Sequence, residues 1–585
     1  MWKVGGRAGA AIAAVASLFA TAAVATGAPT PAPATAPAAK LKAYVPDALL
    51  SAVEQNPRGT FDVIVQGDPK GRSSQLFNKA FADRALQPGQ VKRQFLAING
   101  GRASLTGLQI LALGKSGSVT SITANDGVMK SAVNLPLVNL QKQLWATKAP
   151  VNWTTSALAA QTPTIAIVDS GIEAARSDFG RRVIGRVNLA SLGPNKPDGD
   201  GYGHGTFVAG IAAGGAARHA GVAPSAKLFD VDVMSDDGAA TVADVVAGAD
   251  WILQHKAEYD IRVANFSLHS TSRASVFFDP IDRAVEKLWL NGVVVVAAAG
   301  NYRTTAGPSG VGYVPGNDPF VITVGASDIE NTLYASDDVA APWSAYGYTH
   351  DGFAKPEISA PGRYLVGAVS AGARLASERA DHVVEAGYMQ LSGTSFAAPA
   401  VAGTAAVLLA KHPAWTPDQV KGALMLSAQA TPAAAPGSLG VGELDNAAAL
   451  AVTSAPNPNA AIDQFLTTDP SGTVVFDAAA WRTAASANAA WSDAAWSDAA
   501  WSDAAWSSAA WSDAAWSDAA WSDAAWGSAA WSDAAWSDAA WSDSALADAA
   551  ASDPAWAASA GVDPTLNSES TDGETDAALA DLGPG

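Results

Sequence analysis

Three short stretches of this 585-residue chain pair a reactive side chain with neighbouring glycines. In Leu391-Ser-Gly-Thr-Ser-Phe-Ala-Ala-Pro399 two small residues lead into Ser395, and an apolar run fit for a buried helix continues to Lys411. Ser395 therefore falls at a helix start, where free backbone N–H groups and the positive end of the helix dipole favour an oxyanion. A serine at that place is ordinarily an N-cap, so position alone does not make it a nucleophile. A hydroxyl also needs a neighbouring base to take its proton. His204, in Gly203-His-Gly-Thr206, is the one histidine of seven set between two glycines, which let neighbouring backbone come close. Asp169 closes the apolar run Thr164-Ile-Ala-Ile-Val168 and is placed to hold an imidazole in one tautomer and stabilise its charged form. A buried Asp is costly without a partner, a capping role being the plainer alternative. Asn301 ends the run Val293-Val-Val-Val-Ala-Ala-Ala-Gly-Asn301. Its amide and the backbone N–H of Ser395 are the donors a developing oxyanion would need, although an Asn after a strand is by itself a turn residue. Together these residue types suit acyl transfer through a serine.

Such residues work only if the fold brings them to one rim. From about residue 144 to residue 450, short and largely apolar segments alternate with helical ones. Residues 164–168, 227–234, 261–266, 293–298 and 321–325 are predicted strands, with helices over 239–255 and 280–290 among those between them. Near-continuous Val, Ile and Ala runs of this length indicate parallel strands buried on both faces, hence a doubly wound, mostly parallel α/β sheet. Ligands in such sheets collect beyond the C-terminal strand ends. Asp169 and Asn301 fall there, and His204 precedes the apolar run 207–213.

The rest of the chain divides by composition. Residues 1–25 read as a signal peptide, with Lys3 and Arg7, an apolar run over 8–22 and the small-residue site Ala23-Val-Ala25. Residues 26–43 are a Pro/Ala linker. Residues 44–126 carry alternating segments (61–66, 91–98), helical ones (74–86, 105–113) and a strand at 119–123, the β-α-β-α-β order of a small α+β domain. The α/β region spans 144–453, and 454–585 is an acidic, low-complexity tail. The net charge of −19 belongs to that tail, because twenty acids and one Arg follow Ala455. The balanced body gives no sign of nucleic-acid binding, and with no second spanning segment no integral membrane association is expected. The chain has no cysteine, which excludes disulfides and thiol chemistry. In the tail, Trp recurs every five residues over 491–545 in Trp-Ser-Asp-Ala-Ala units. Period five suits neither helix nor strand, leaving a disordered segment or a repeat structure as its two readings.

Asp169-Ser-Gly171, Gly203-His-Gly-Thr206, Ala297-Ala-Ala-Gly-Asn301 and Gly393-Thr-Ser-Phe-Ala-Ala-Pro399, in this order, resemble the subtilisin-like (subtilase) serine proteases. The order Asp, His, Ser is also that of subtilisin. The resemblance covers about residues 144–450. It implies a secreted serine endopeptidase acting on proteins or peptides, with Asp169, His204 and Ser395 catalytic and Asn301 and Ser395 forming the oxyanion hole. It also implies that Ser267 and Leu268 pair with substrate backbone, and that 44–126 is a propeptide which inhibits the enzyme and is released by a cut between Asp126 and Trp145. No cofactor is required for that chemistry. Structural calcium is common in the resembled family, but the hint in Asp198-Gly-Asp-Gly-Tyr202 breaks EF-hand spacing and no ligands can be assigned.

There are departures from the family pattern. Phe207, Phe396 and Ala400 look like packing positions. His269 and Ser270 stand where the family has two glycines, which leaves the shape of the primary specificity pocket open. Residues 365–385 are expected as an inserted surface loop. An α/β-hydrolase would need Gly-x-Ser-x-Gly, and Ala397 occupies its last position. A reading of another class is a surface-binding or adhesion protein that contacts a cell surface or polymer through stacked tail tryptophans.

Overall fold

The computed structural model describes residues 41–130, 133, 156–303, 307–330, 332, 334–370, 372–469 and 472–487. The expected signal peptide, most of the linker and the Trp repeats lie outside the described residues.

The N-terminal domain begins at Leu41 rather than after residue 43, because the N–H groups of Lys42 and Ala43 both donate to Gly114 O. Its antiparallel sheet contains β1 (Thr60–Gln66), β2 (Val91–Phe95), β3 (Gly100–Thr106) and β4 (Ser121–Ala124) in the order β2-β3-β1-β4. Strand β3 has no counterpart in the expected β-α-β-α-β order. Three helices cover the sheet over a core that includes Val63, Phe77, Leu105 and Ile110. A fifth strand, β5 (Gly127–Lys130), leaves this sheet and joins the larger body.

That body is built on an eight-stranded sheet. Its strands are β6 (Thr164–Asp169), β7 (Val183–Asn188), β8 (Lys227–Asp232), β10 (Ile261–Phe266), β12 (Val294–Ala298), β13 (Ile322–Asp328) and β14 (Val339–Ala340), with β15 (Ile358–Pro361) beside β13. Two further short strands of this region are β9 (Ala239–Thr241) and β11 (Leu268–Ser270). The sheet order is β14-β13-β12-β10-β6-β8-β7, all pairs being parallel except β13 with β14. Strand β6 lies between β10 and β8, so the chain winds outward from it in both directions, and every residue of β6 is buried. The doubly wound α/β expectation holds.

Four helices matter for the site. They are α1 (His204–Ala213), α2 (Val242–His255), α3 (Pro280–Leu290) and α4 (Thr394–Lys411). Helix α3 starts where Asp279 accepts hydrogen bonds from the N–H groups of Ile281 and Asp282, with Pro280 in the first turn. Helix α4 is apolar and long enough to cross a bilayer, but all its residues except Lys411 are buried in the protein core.

Two expectations change. Residues 365–385 are no surface loop. They form β16 (Leu365–Ala368) and β17 (Val383–Glu385), which flank β18 (Tyr388–Leu391), and Leu365, Val369 and Ala373 are buried. The packed body also runs past residue 453. Strands β19 (Leu466–Thr468) and β20 (Val474–Phe476) form a hairpin leading into α5 (Ala478–Ala487). Phe476 packs edge-on against Phe320, and Trp481 sits 5.1 Å from both Phe277 and Phe353. Trp481 is thus a core residue that the sequence pattern had grouped with the tail.

Candidate active site

Strand β6 delivers Asp169 at its last position, fully buried. His204 opens α1, one turn earlier than the apolar run indicated. The two meet closely: His204 Nδ1 lies 2.7 Å from Asp169 Oδ1, which also accepts from Ser170 N at 2.8 Å. Gly205 makes the approach possible, since a Cβ there would fall 2.2 Å from Gly171 O and 3.1 Å from Asp169 Cβ. The other imidazole nitrogen, Nε2, is buried and has no hydrogen-bond partner.

A residue not assigned to the site from sequence holds this corner. Asp200 accepts from Ser170 Oγ (3.0 Å) and Gly203 N (2.6 Å) through Oδ1, and from Thr206 N (2.7 Å) through Oδ2. Ser170 Oγ in turn accepts from Gly205 N at 3.0 Å. The carboxyl that hinted at a calcium loop is thus committed to the helix start bearing His204. Burial pushes its pKa up to about 6, against the pull of those N–H donors. Its signal in the sequence was the dense glycine spacing from Gly199 to Gly205. Among the described residues, no group of three or more His, Asp or Glu side chains converges on a metal position.

Ser395 is the second residue of α4, after Gly393 at the N-cap. Phe396, next to it, lies 5.2 Å from the His204 ring and 4.4 Å from Phe207, so both phenylalanines pack as expected while bringing the serine's turn against the histidine. Ser395 Oγ does not point to His204; it donates to Ser267 O at 2.9 Å. Ser267 Oγ returns a bond to Ser395 O at 2.7 Å and accepts from Asn265 Nδ2 at 2.8 Å. The junction of β10 and β11 is thereby locked to the start of α4.

Asn301 follows β12, and its Oδ1 accepts from both Thr394 N (2.9 Å) and Thr394 Oγ1 (3.0 Å). With the oxygen committed, Nδ2 is the free end, buried and unpartnered one residue from Ser395. This donor is oriented but unused. The structure brings Asp169, His204, Ser395, Asn301, Ser267 and Leu268 to one rim of the sheet, beyond the ends of β6, β10 and β12.

One further strand pairs along this rim. Strand β5 runs antiparallel between β11 and β9, with Lys130 opposite Leu268, Met129 opposite His269 and Val128 opposite Ser270. Val128 is buried, and the Lys130 ammonium sits 4.2 Å above the Tyr202 ring. Burial lowers the Lys130 pKa. Residues 127–130 had carried no element in the sequence reading, because four residues held only by tertiary pairing leave no periodic signal. The N-terminal domain behind β5 docks on α2 and on the entry to α3. Asp250 Oδ1 accepts from Leu96 N and Ala97 N at 2.6 Å each, Phe278 O accepts from Gln66 Nε2 at 2.8 Å, and Tyr44 stacks on Phe278 at 4.1 Å.

Residues 160–469 match the model of the subtilase family. Serine protease AprX of Bacillus subtilis (strain 168) is 35% identical over 268 residues, 44% of this chain and 59% of that protein. Subtilisin NAT of Bacillus subtilis subsp. natto is 30% identical over 337 residues, 57% of this chain and 76% of that protein. In structure the chain resembles fervidolysin from Fervidobacterium pennivorans, described as a keratinolytic enzyme related to subtilisin. The TM-score is 0.50 at 21% identity, covering 68% of this chain and 62% of that one, a likeness of fold. The chain thus spans less than two thirds of AprX and of fervidolysin.

Proposed function

Because this chain belongs to the subtilase family, we propose that it is a secreted serine endopeptidase that matures by cutting itself. The observation that carries this reading is His204. One ring nitrogen is tied to Asp169 and the other is buried without a partner, which is the state of a base waiting for a proton. In the proposed reaction a rotation about the Ser395 side chain frees Oγ from Ser267 O. Oγ gives its proton to His204 Nε2 as it attacks the scissile carbonyl carbon. The developing oxyanion is met by Asn301 Nδ2 and Ser395 N, and Asp169 stabilises the imidazolium. His204 then protonates the leaving amine, and a water molecule, activated by the same histidine, releases the acyl group from Ser395. No cofactor enters these steps. Substrate backbone pairs along Ser267 and Leu268, where β5 now lies.

The pairing of β5 with β11 and β9 supports reading residues 41–130 as a propeptide that blocks the groove until it is cut away. Export rests on residues 1–25, and the tryptophan-rich segment beyond residue 487 is assigned to contact with a cell surface or polymer. The test compares secreted wild-type protein with Ser395→Ala. Wild type should hydrolyse casein and begin between Lys130 and Trp145. The variant should be folded, inactive, and begin near Thr26. Casein hydrolysis by folded Ser395→Ala would overturn the assignment of the nucleophile, and identical N-termini near Thr26 in both proteins would overturn self-maturation.

A further inference from the structure

A groove that accepts β5 accepts an extended chain, whose side chains alternate between two faces. Opposed residues of an antiparallel pair point to the same face, so Met129 shares the face of His269, and Lys130 shares that of Leu268. A substrate residue one step further on stands opposite Ser267, whose carbonyl accepts from Ser395 Oγ. By alternation its side chain returns to the face of His269. That face must therefore receive the side chain on the N-terminal side of the scissile bond.

Rings close it. The His269 ring lies 5.4 Å from Tyr313 and 6.1 Å from Tyr302, and the two tyrosines meet edge-on at 4.6 Å. Each ring is fixed from behind. His269 Nδ1 bonds Ser270 O at 2.7 Å. Tyr302 Oη donates to Ala299 O and accepts from Gly312 N, both at 3.2 Å. Ser270 N donates to Val314 O (3.0 Å) and Ser270 Oγ accepts from Val314 N (3.2 Å), lacing β11 to the segment that carries Tyr313. Rings in mutual contact at these separations leave no slot for another ring between them.

We propose that His269, Tyr302 and Tyr313 plug the primary side-chain pocket, so that this enzyme cuts after small uncharged residues such as Gly, Ala and Ser. The proposal rests on the reading of Ser395 as nucleophile. It also names Tyr313 as a specificity-determining residue, because it touches both other rings.

The experiment profiles mature wild-type and Tyr313→Gly protein on peptides that differ only at the residue before the cut, alongside fluorophosphonate labelling. Wild type should turn over the Ala and Ser peptides at least about tenfold faster, in kcat/KM, than the Phe and Leu peptides. Tyr313→Gly should raise the Phe-to-Ala ratio of kcat/KM at least about tenfold over wild type. A wild type that prefers Phe or Leu would overturn the plug, with no need for the variant to fold. Preference for Asp or Glu would overturn it too, and would shift attention to Arg273, whose guanidinium lies 5.8 Å from the Tyr313 ring. An unchanged profile in a folded Tyr313→Gly would remove Tyr313 from the role. Absence of both hydrolysis and Ser395 labelling in wild type would instead strike the protease reading beneath it.

Discussion

At the scale of single residues, the site depends on side chains with one end committed and the other left free. Asn301 shows this best: Thr394 takes its oxygen twice, so only the amide can face a reacting carbonyl. A donor held in advance acts mainly on the transition state, because it needs no reorganisation when charge develops. Asn301→Ala should lower kcat by about two to three orders of magnitude with little change in KM, a size taken from subtilisin itself rather than obtained from this geometry. Steady-state kinetics on one peptide checks it, and an equal rise in KM with unchanged kcat would assign Asn301 to ground-state binding instead. All four catalytic candidates could be read from the sequence, since glycine beside a reactive residue at a strand or helix end is a local pattern. Asp200 left only the dense glycine spacing around it as a signal, because its value lies in three backbone and side-chain partners that only the folded loop assembles.

At the scale of elements, α3 carries a cost of its own. Asp279, Asp282 and Glu286 are buried along it, Asp318 faces them, and both oxygens of Asp282 lack hydrogen-bond partners. Arg283 reaches Glu286 at 3.2 Å, and Lys355 and Lys421 offset Asp318. Burial pushes Asp279 up to about 7 and Glu286 up to about 8, and raises Asp282 well above the usual carboxylate range. The sign follows from linkage. Each folded-state pKa lies above the unfolded one, so the folded protein keeps protons that the unfolded chain has lost. The penalty is absent below a pH of about 4, where both states are protonated, and grows as pH rises towards about 8. Asp282→Asn should therefore raise Tm at pH 8 and change it little at pH 4, as differential scanning calorimetry would record. A lower Tm at pH 8 would show that this carboxylate has a partner worth keeping.

The same scale shows which elements a sequence discloses. Strands β6 and β12 and helix α3 were legible because each is a near-continuous apolar run or carries its own cap. Strand β3, Gly-Gly-Arg-Ala-Ser-Leu-Thr, reads locally as a turn and is a strand only because β1 and β2 flank it. The segment expected as a surface loop over 365–385 instead turns Leu365, Val369 and Leu375 inward while Arg374, Glu378 and Asp381 stay exposed.

At the scale of the whole molecule, the packed body includes the hairpin and α5. Ile462, Phe476 and Trp481 belong to the main core, and Asp477 reaches back to Lys70 of the N-terminal domain at 2.7 Å. A chain ending at Asn457 would lose all three apolar side chains, at a cost of roughly 3–5 kcal/mol for each large aromatic removed. It should melt well below wild type or fail to accumulate. A chain ending at Ala487 should match wild type in Tm and in peptide hydrolysis. Equal melting of the two truncations would show that the hairpin contributes nothing to the core.

On the proposed reading, the strand paired with β11 is joined by the intervening chain to the body it would block. Its local concentration at Ser395 is therefore set by tether geometry and not by how much protein the cell exports. The first cut, if made by this route, is unimolecular: its half-time should be the same in a dilute culture as in a concentrated one. On that reading every later substrate would arrive by diffusion and displace a strand that, once severed, competes as an ordinary ligand. Dilution, which leaves the first event untouched, is then what releases the enzyme to act on anything else.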